Sequence, residues 1–283
     1  MLTSALRRPK ASFSHEQAPL VWTIVAWIIG LLVFFPVLYI VLTGLKTEAT
    51  AITLPPKLIF RPTLDQYREI RGLGFFPFFR NSIVASLVST LIVVILAVPA
   101  AYALALRPMK KWKDLLFFFI STKFMPPAGI VVPIYIIYKN LNLLNTIQGL
   151  VIIYIAMNLP IAIWVLRSFF EEVPKDVIDA ARLDGATPLQ EIFQVIVPMI
   201  RPGIVATGFI CMIFAWNEFF LAAFLAAVGN STVPIFMLQY VTGEGLFWAK
   251  LSAAVTIGVL PIVLLGWLAQ GQLVRGLSLG AVK

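Results

Sequence analysis

One cysteine, Cys211, and one histidine, His15, occur among 283 residues. The first count excludes a disulfide framework within the chain, and the second excludes a multi-histidine metal site and Ser-His-Asp catalysis. No Gly-Lys pair occurs anywhere, so the chain lacks the Gly-x4-Gly-Lys-Ser/Thr loop whose backbone amides and lysine cradle nucleotide phosphates. A His-Glu-x-x-His pair and a cysteine cluster are missing as well, which leaves little basis for enzymatic chemistry. Charge is scarce: 12% of residues are Asp, Glu, Lys or Arg, against about one quarter in a soluble domain. An ordinary soluble enzyme is excluded.

What is abundant is apolar surface, 60% of the residues. The net charge is +9, but the basic residues sit in separated clusters between apolar runs and form no continuous face for nucleic acid. A helix crossing a hydrocarbon core about 30 Å thick needs about 20 mostly apolar residues. Six stretches qualify: 21–45, 82–106, 115–138, 150–170, 202–225 and 251–273. Runs such as Leu91 to Val98 are apolar on every side, which excludes the alternating pattern of a porin-like barrel. The expected fold is therefore an all-α integral membrane domain with six spanning helices.

Orientation follows from Lys and Arg in short segments. The N-terminal tail, 1–20, carries Arg7, Arg8 and Lys10, and the turn after the second span carries Arg107, Lys110, Lys111 and Lys113. Both termini, including the tail 274–283, are expected in the cytoplasm, with 46–81 and 226–250 outside. Within 46–81, Thr63 followed by Gln66 reads as a capping box opening a short interfacial helix over 64–70. Phe75, Phe76, Phe78 and Phe79 mark re-entry into the bilayer. Gly243 and Gly245 lie in the second outer segment with no preceding strand and read as a turn.

The cytoplasmic segment 171–201 holds six of the thirteen acids. Pro174 begins a first helix with Val177, Ile178 and Ala181 on one stripe, ending at Gly185, a natural C-cap. A second follows at once: Thr187 caps it, Pro188 takes the first position, Gln190 completes a capping box, and Leu189, Ile192, Phe193, Ile196 and Val197 form its apolar face. Physics alone leaves open an amphipathic lid on the membrane or a surface for another protein.

The run Asp179 to Pro198 resembles the EAA loop of ABC-importer permeases: Glu-Ala-Ala, three residues, Gly, nine residues, Ile-x-Leu-Pro. Asp179-Ala180-Ala181, Gly185, Val195, Val197 and Pro198 stand at those places, with conservative exchanges at three of them. From about residue 20 onward the chain is similar to the carbohydrate, maltose-type branch, in Asn81-Ser82, Pro99 to Tyr102, Met125-Pro126-Pro127, Asp184 to Thr187, Trp216-Asn217-Glu218 and the closing Gly280 to Lys283. The resemblance implies a MetI-like fold, a core over 82–273, and a place in the cytoplasmic membrane of a bacterium or archaeon. It implies a cytoplasmic ATPase pair that binds the ATP, a second permease subunit and an extracytoplasmic solute-binding protein, with no cofactor in this chain. Asp179, Ala180, Ala181, Asp184, Gly185, Ala186, Thr187 and Pro188 would dock the ATPase. The implied cargo is a sugar, polyol or oligosaccharide; a polyamine or phosphate permease would share the loop. An ion-coupled secondary transporter would call for inverted repeats and midplane carboxylates, and neither is evident.

Polar side chains within spans usually face protein or water. Tyr102, Asn158, Asn217 and Glu218 are the candidates for a substrate pathway, against the plainer reading of hydrogen bonds between packed helices. Lys123, ahead of Met125-Pro126-Pro127, stands out with Glu218 as a residue that could line the pathway, against a lysine snorkelling to the headgroups, while Tyr102, Asn158, Tyr135 and Gln239 are weaker candidates. Pro126-Pro127, Pro133 and Pro160 interrupt their helices as kinks or hinges, and Cys211 reads as a small packing residue.

Overall fold

A computed structural model describes residues 20–107, 110–227, 229–242 and 245–279. The tail bearing Arg7, Arg8, Lys10 and His15, together with Gly243 and the closing Gly280 to Lys283, lies outside the described residues. In chain order the helices are α1 (Leu20–Gly44), α2 (Glu48–Ala51), α3 (Asp65–Gly72), α4 (Phe75–Leu106), α5 (Trp112–Ser121), α6 (Pro127–Asn140), α7 (Ile147–Glu171), α8 (Lys175–Leu183), α9 (Pro188–Gln190), α10 (Val197–Met199), α11 (Arg201–Trp216), α12 (Phe220–Leu225), α13 (Val233–Met237) and α14 (Trp248–Leu279). A two-residue antiparallel pair, Val241–Thr242 against Gly245–Leu246, flanks the expected turn.

Four helices, α1, α4, α7 and α14, are each long and apolar enough to cross a membrane. The count reaches six only when two bent pairs are each taken as one span. The third expected span, 115–138, is broken between Phe124 and Pro127 and bent by 95°. Pro126 and Pro127 supply no N–H to continue the ladder, so the chain turns there. The second bent pair joins Pro188–Met199 to Arg201–Trp216 at 84°, and the fifth expected span, 202–225, is itself not one helix, since α11 stops at Trp216 and a new helix starts at Phe220. The second span is longer than expected, 32 residues, because the Phe75 to Phe79 cluster, expected in the loop 46–81 ahead of the span, is already helical. Phe75 and Phe78 pack on Phe236 of α13 at ring-centroid distances of 5.1 and 5.2 Å.

The apolar side chains face outward as much as inward. Across its apolar stretch α1 buries nothing within the chain, and Trp267 and Leu268 of α14 are 67% and 76% exposed. Such surface is stable against lipid and not against water. The interior is built where α4 meets α7. There Ala97, Ala101 and Ala162 are fully buried, and small side chains let helix backbones approach closely in a bilayer. Gly203 of α11 serves the same end, since a Cβ there would lie 2.5 Å from the Phe169 ring of α7.

Polar side chains staple the segments 46–81 and 226–250 to these helices. Glu48 accepts hydrogen bonds from the Ala249 and Lys250 amides at 3.1 and 2.9 Å, capping α14 from outside the helix. Lys250 in turn meets Glu69 of α3 at 2.6 Å. Asn81 donates to the Ser231 carbonyl and Ser82 accepts from the Val233 amide, so the Asn81-Ser82 pair ties α4 to the segment that leads into α13. The capping box expected at Thr63 and Gln66 does not form. Thr63 instead exchanges hydrogen bonds with Asp65, while Gln66 is buried and α3 runs from Asp65 to Gly72.

Candidate functional site

The segment 171–201 folds as two short helical pieces at the end of α7. The first, α8, starts at Lys175, with Pro174 as its N-cap residue rather than its first helical one. It ends in a Schellman arrangement: the Gly185 amide donates to the Arg182 carbonyl at 3.1 Å and the Ala186 amide to the Ala181 carbonyl at 3.0 Å. Gly185 takes φ +81°, a conformation in which a Cβ is disfavoured. Thr187 and Gln190 then form the expected reciprocal capping box, with Pro188 at the first helical position.

The next turn departs from the expected α-helix. Residues Glu191–Ile196 are π-helical, a form that closes i→i+5 hydrogen bonds and often marks a functional site. The wider turn re-aims the side chains. Glu191, Ile192 and Ile196 are buried, whereas Leu189 and Phe193, both expected on the apolar inner face, are 66% and 55% exposed. Leu183, at the end of α8, is 88% exposed. The turn 184–187 therefore stands between large exposed apolar side chains. Asp179, Ala180, Asp184, Gly185, Thr187 and Pro188 are exposed beside them, and Ala181 and Ala186 half-buried.

Glu191, which the sequence reading passed over, is 1% exposed and the centre of the segment's polar contacts. Its carboxylate accepts from Arg182 Nε and Nη2, both at 3.0 Å, and from the Tyr102 hydroxyl at 2.9 Å. Arg107 Nη2 lies at 3.7 Å, and Asp179 meets the far side of Arg182 at 3.9 Å. Burial alone would raise the Glu191 pKa, but hydrogen bonds from Arg182 and Tyr102 and the charges of Arg182 and Arg107 outweigh it and hold it below the usual carboxylate range. The only sequence signal for this cluster was an acid adjoining an apolar run.

The four pathway candidates are not brought together. Tyr102, near the C-terminal end of α4, is bonded to Glu191. Asn217 is exposed and donates to its own helix at the Ile213 carbonyl, 2.8 Å. Glu218 accepts from the Leu221 and Ala222 amides, both at 2.9 Å, and so caps α12 across the break in the fifth span. Asn158 is different. It is fully buried in α7, and both atoms of its amide lack a partner among the described residues, an expensive state in a packed interior. One residue before it, the Met157 carbonyl accepts from Lys123 Nζ at 2.9 Å. Tyr135 and Gln239 are exposed, and Cys211 is buried in the α4–α7 core. No group of three or more His, Cys, Asp or Glu able to hold a metal occurs among the described residues.

Comparison with known proteins gives this geometry its context. The family model of the binding-protein-dependent transport system inner membrane component matches residues 72–278. A probable ABC transporter permease, y4oR, of Sinorhizobium fredii is 35% identical, over 95% of this chain and 98% of its own length. The sulfoquinovosyl glycerol transport system permease SmoH of Agrobacterium fabrum is 36% identical over 88% of each chain. The trehalose transport system permease SugB of Mycobacterium tuberculosis is 34% identical, over 93% of this chain and 97% of its own. Among solved structures, a chain of a bacterial ABC transporter that imports the acidic polysaccharide alginate superposes with a TM-score of 0.69, at 22% identity, over 93% of this chain and 99% of that one. The family model spans the loop, the π-helical turn and five of the six expected spans, and the chain belongs to the binding-protein-dependent inner membrane components, the multi-pass permease subunits of ABC importers.

Proposed function

We propose that this permease forms one half of the translocation pathway for a sugar, polyol or short oligosaccharide, opposite a second and different permease subunit. A pair of cytoplasmic ATPases binds and hydrolyses the ATP, and an extracytoplasmic binding protein delivers the solute. The chain itself performs no covalent chemistry and holds no cofactor. The observation that carries the reading is the loop 171–201, where a glycine in the left-handed region at the tip of two short helices is flanked by exposed Leu183 and Leu189. An exposed apolar pair on an otherwise polar turn is the pattern of a surface completed by another protein. The carbohydrate cargo rests on relatives whose names specify trehalose, maltose and diacetylchitobiose. Asn158, an unpartnered amide at mid-span, is the pathway residue best suited to sugar hydroxyls; Asn217, Glu218 and Tyr102 would shape the pathway through the segments they hold in place.

Two measurements test this. In vesicles containing the assembled complex and its binding protein, a sugar or polyol should stimulate ATP hydrolysis severalfold, and stimulation by a polyamine or phosphate instead would refute the cargo assignment. Cysteines introduced at Lys111 and Gln190 should react with an impermeant reagent only from the cytoplasm, and one at Thr63 only from outside. Labelling of Thr63 and Lys111 from the same side would overturn the orientation and the division of the chain into tails, outer loop and core.

A further inference from the structure

Between the docking loop and the spanning helices lie two kinds of contact. One is apolar: Ile178, Ile192 and Ile196 pack in the same cluster as Leu104, Phe169 and Phe170. Contacts of this kind are non-directional and allow two surfaces to slide. The other is the buried carboxylate of Glu191, which joins three separate stretches of chain: α8 through both Arg182 hydrogen bonds, the end of α4 through Tyr102, and the residue after α4 through Arg107. A two-point Arg–carboxylate contact fixes both distance and angle. Tyr102 is itself held in place, its ring edge-on to Phe170 at 6.1 Å and under the Arg107 guanidinium at 5.3 Å.

Resting on the docking role proposed for the loop, we propose that Glu191 is the positioning residue that makes the loop and α4 move as one body, so that displacement of the loop by the ATPase turns the spanning helix. The π-helical turn gives the reason for its own presence: a 3.6-residue repeat would put Leu189 and Phe193 on the face with Ile192 and Ile196, whereas the wider turn delivers the carboxylate to Tyr102 and Arg182. Glu191 acts through Tyr102 and Arg182 and touches no cargo.

The test uses the full complex with Glu191→Gln and, separately, Tyr102→Phe. Glutamine keeps the volume and removes the charge that Arg182 and Arg107 face; phenylalanine removes one hydroxyl. Three quantities are read: the ATPase that copurifies, the ATP hydrolysed, and the solute taken up per ATP. Copurification is expected to stay near the unmodified level, while uptake per ATP falls on the order of tenfold in Glu191→Gln and severalfold in Tyr102→Phe. If either variant lowers uptake only in proportion to the yield of complex, the residue is merely structural and the proposal fails. If both lose the ATPase on purification, the cluster serves docking itself, and the transmission role is wrong. Should Glu191→Gln not accumulate, Tyr102→Phe decides alone. Failure of the unmodified chain to copurify with any ATPase would instead remove the docking role beneath the proposal, a result distinct from unchanged coupling in the variants.

Discussion

Gly185→Leu is expected to abolish solute uptake, by more than tenfold, and to strip the ATPase from the purified complex, while the permease still accumulates in the membrane. Gly185 has φ +81° and completes the Schellman turn between α8 and α9. An L-residue in that region costs about 1–2 kcal/mol, which the chain can relieve by opening the turn and moving Asp184, Ala186 and Thr187. A Cβ built at Gly185 meets nothing within 4 Å in the chain, so the added bulk does not disturb the permease's own core; it projects where a partner would sit. The two causes are separable. Asparagine tolerates the left-handed region better than other non-glycine residues, so Gly185→Asn should retain more of the turn and more activity than Gly185→Ala or Gly185→Leu. The competing picture, an amphipathic lid on lipid, predicts equal or stronger membrane attachment for leucine and no effect on the ATPase. Copurification at the unmodified level with normal uptake would exclude the docking role.

The elements read correctly from sequence were those with local causes. The apolar runs of α1, α4, α7 and α14 are long enough to span on length alone, and the caps at Gly185, Thr187 and Pro188 depend on residues within a few positions of one another. The breaks were less legible. Met125-Pro126-Pro127 announced an interruption, but a 95° bend depends on what the two halves pack against. The end of α11 at Trp216 has no proline or glycine to mark it; Asn217 turns back onto its own helix, and Glu218 begins the next one. An acid and an amide that looked available to cargo are thus largely occupied by backbone. The clearest miss is Glu191. Counting apolar positions at a 3.6-residue repeat assumes an α-helix, and one π-turn displaces every later side chain relative to that count. The cluster's remaining members come from residues 102, 107 and 182, a separation in sequence that no local pattern encodes.

The same displacement of faces leads to the second large effect. Leu183→Glu combined with Leu189→Glu should remove most copurifying ATPase and lower uptake by more than tenfold, with little change in the amount of permease in the membrane. Both side chains are exposed, 88% and 66%, so their replacement leaves no cavity, and polar substitution at exposed sites typically changes stability by only about 0.5 kcal/mol. In a docked complex each glutamate would be pressed into an apolar surface without a partner, a burial that costs several kcal/mol per charge. Ile196→Ala provides the opposite control. Ile196 is fully buried against the α4–α7 core, and truncating a buried isoleucine costs about 2–5 kcal/mol, so that variant should lose permease yield and thermal stability first and ATPase only in proportion. A lid lying on lipid reverses the pattern for the double variant: the loop would lift from the membrane while the ATPase stayed bound. If Leu183→Glu with Leu189→Glu keeps its ATPase and its uptake, these two side chains face lipid, and the apolar surface that carries the docking assignment belongs to the bilayer instead.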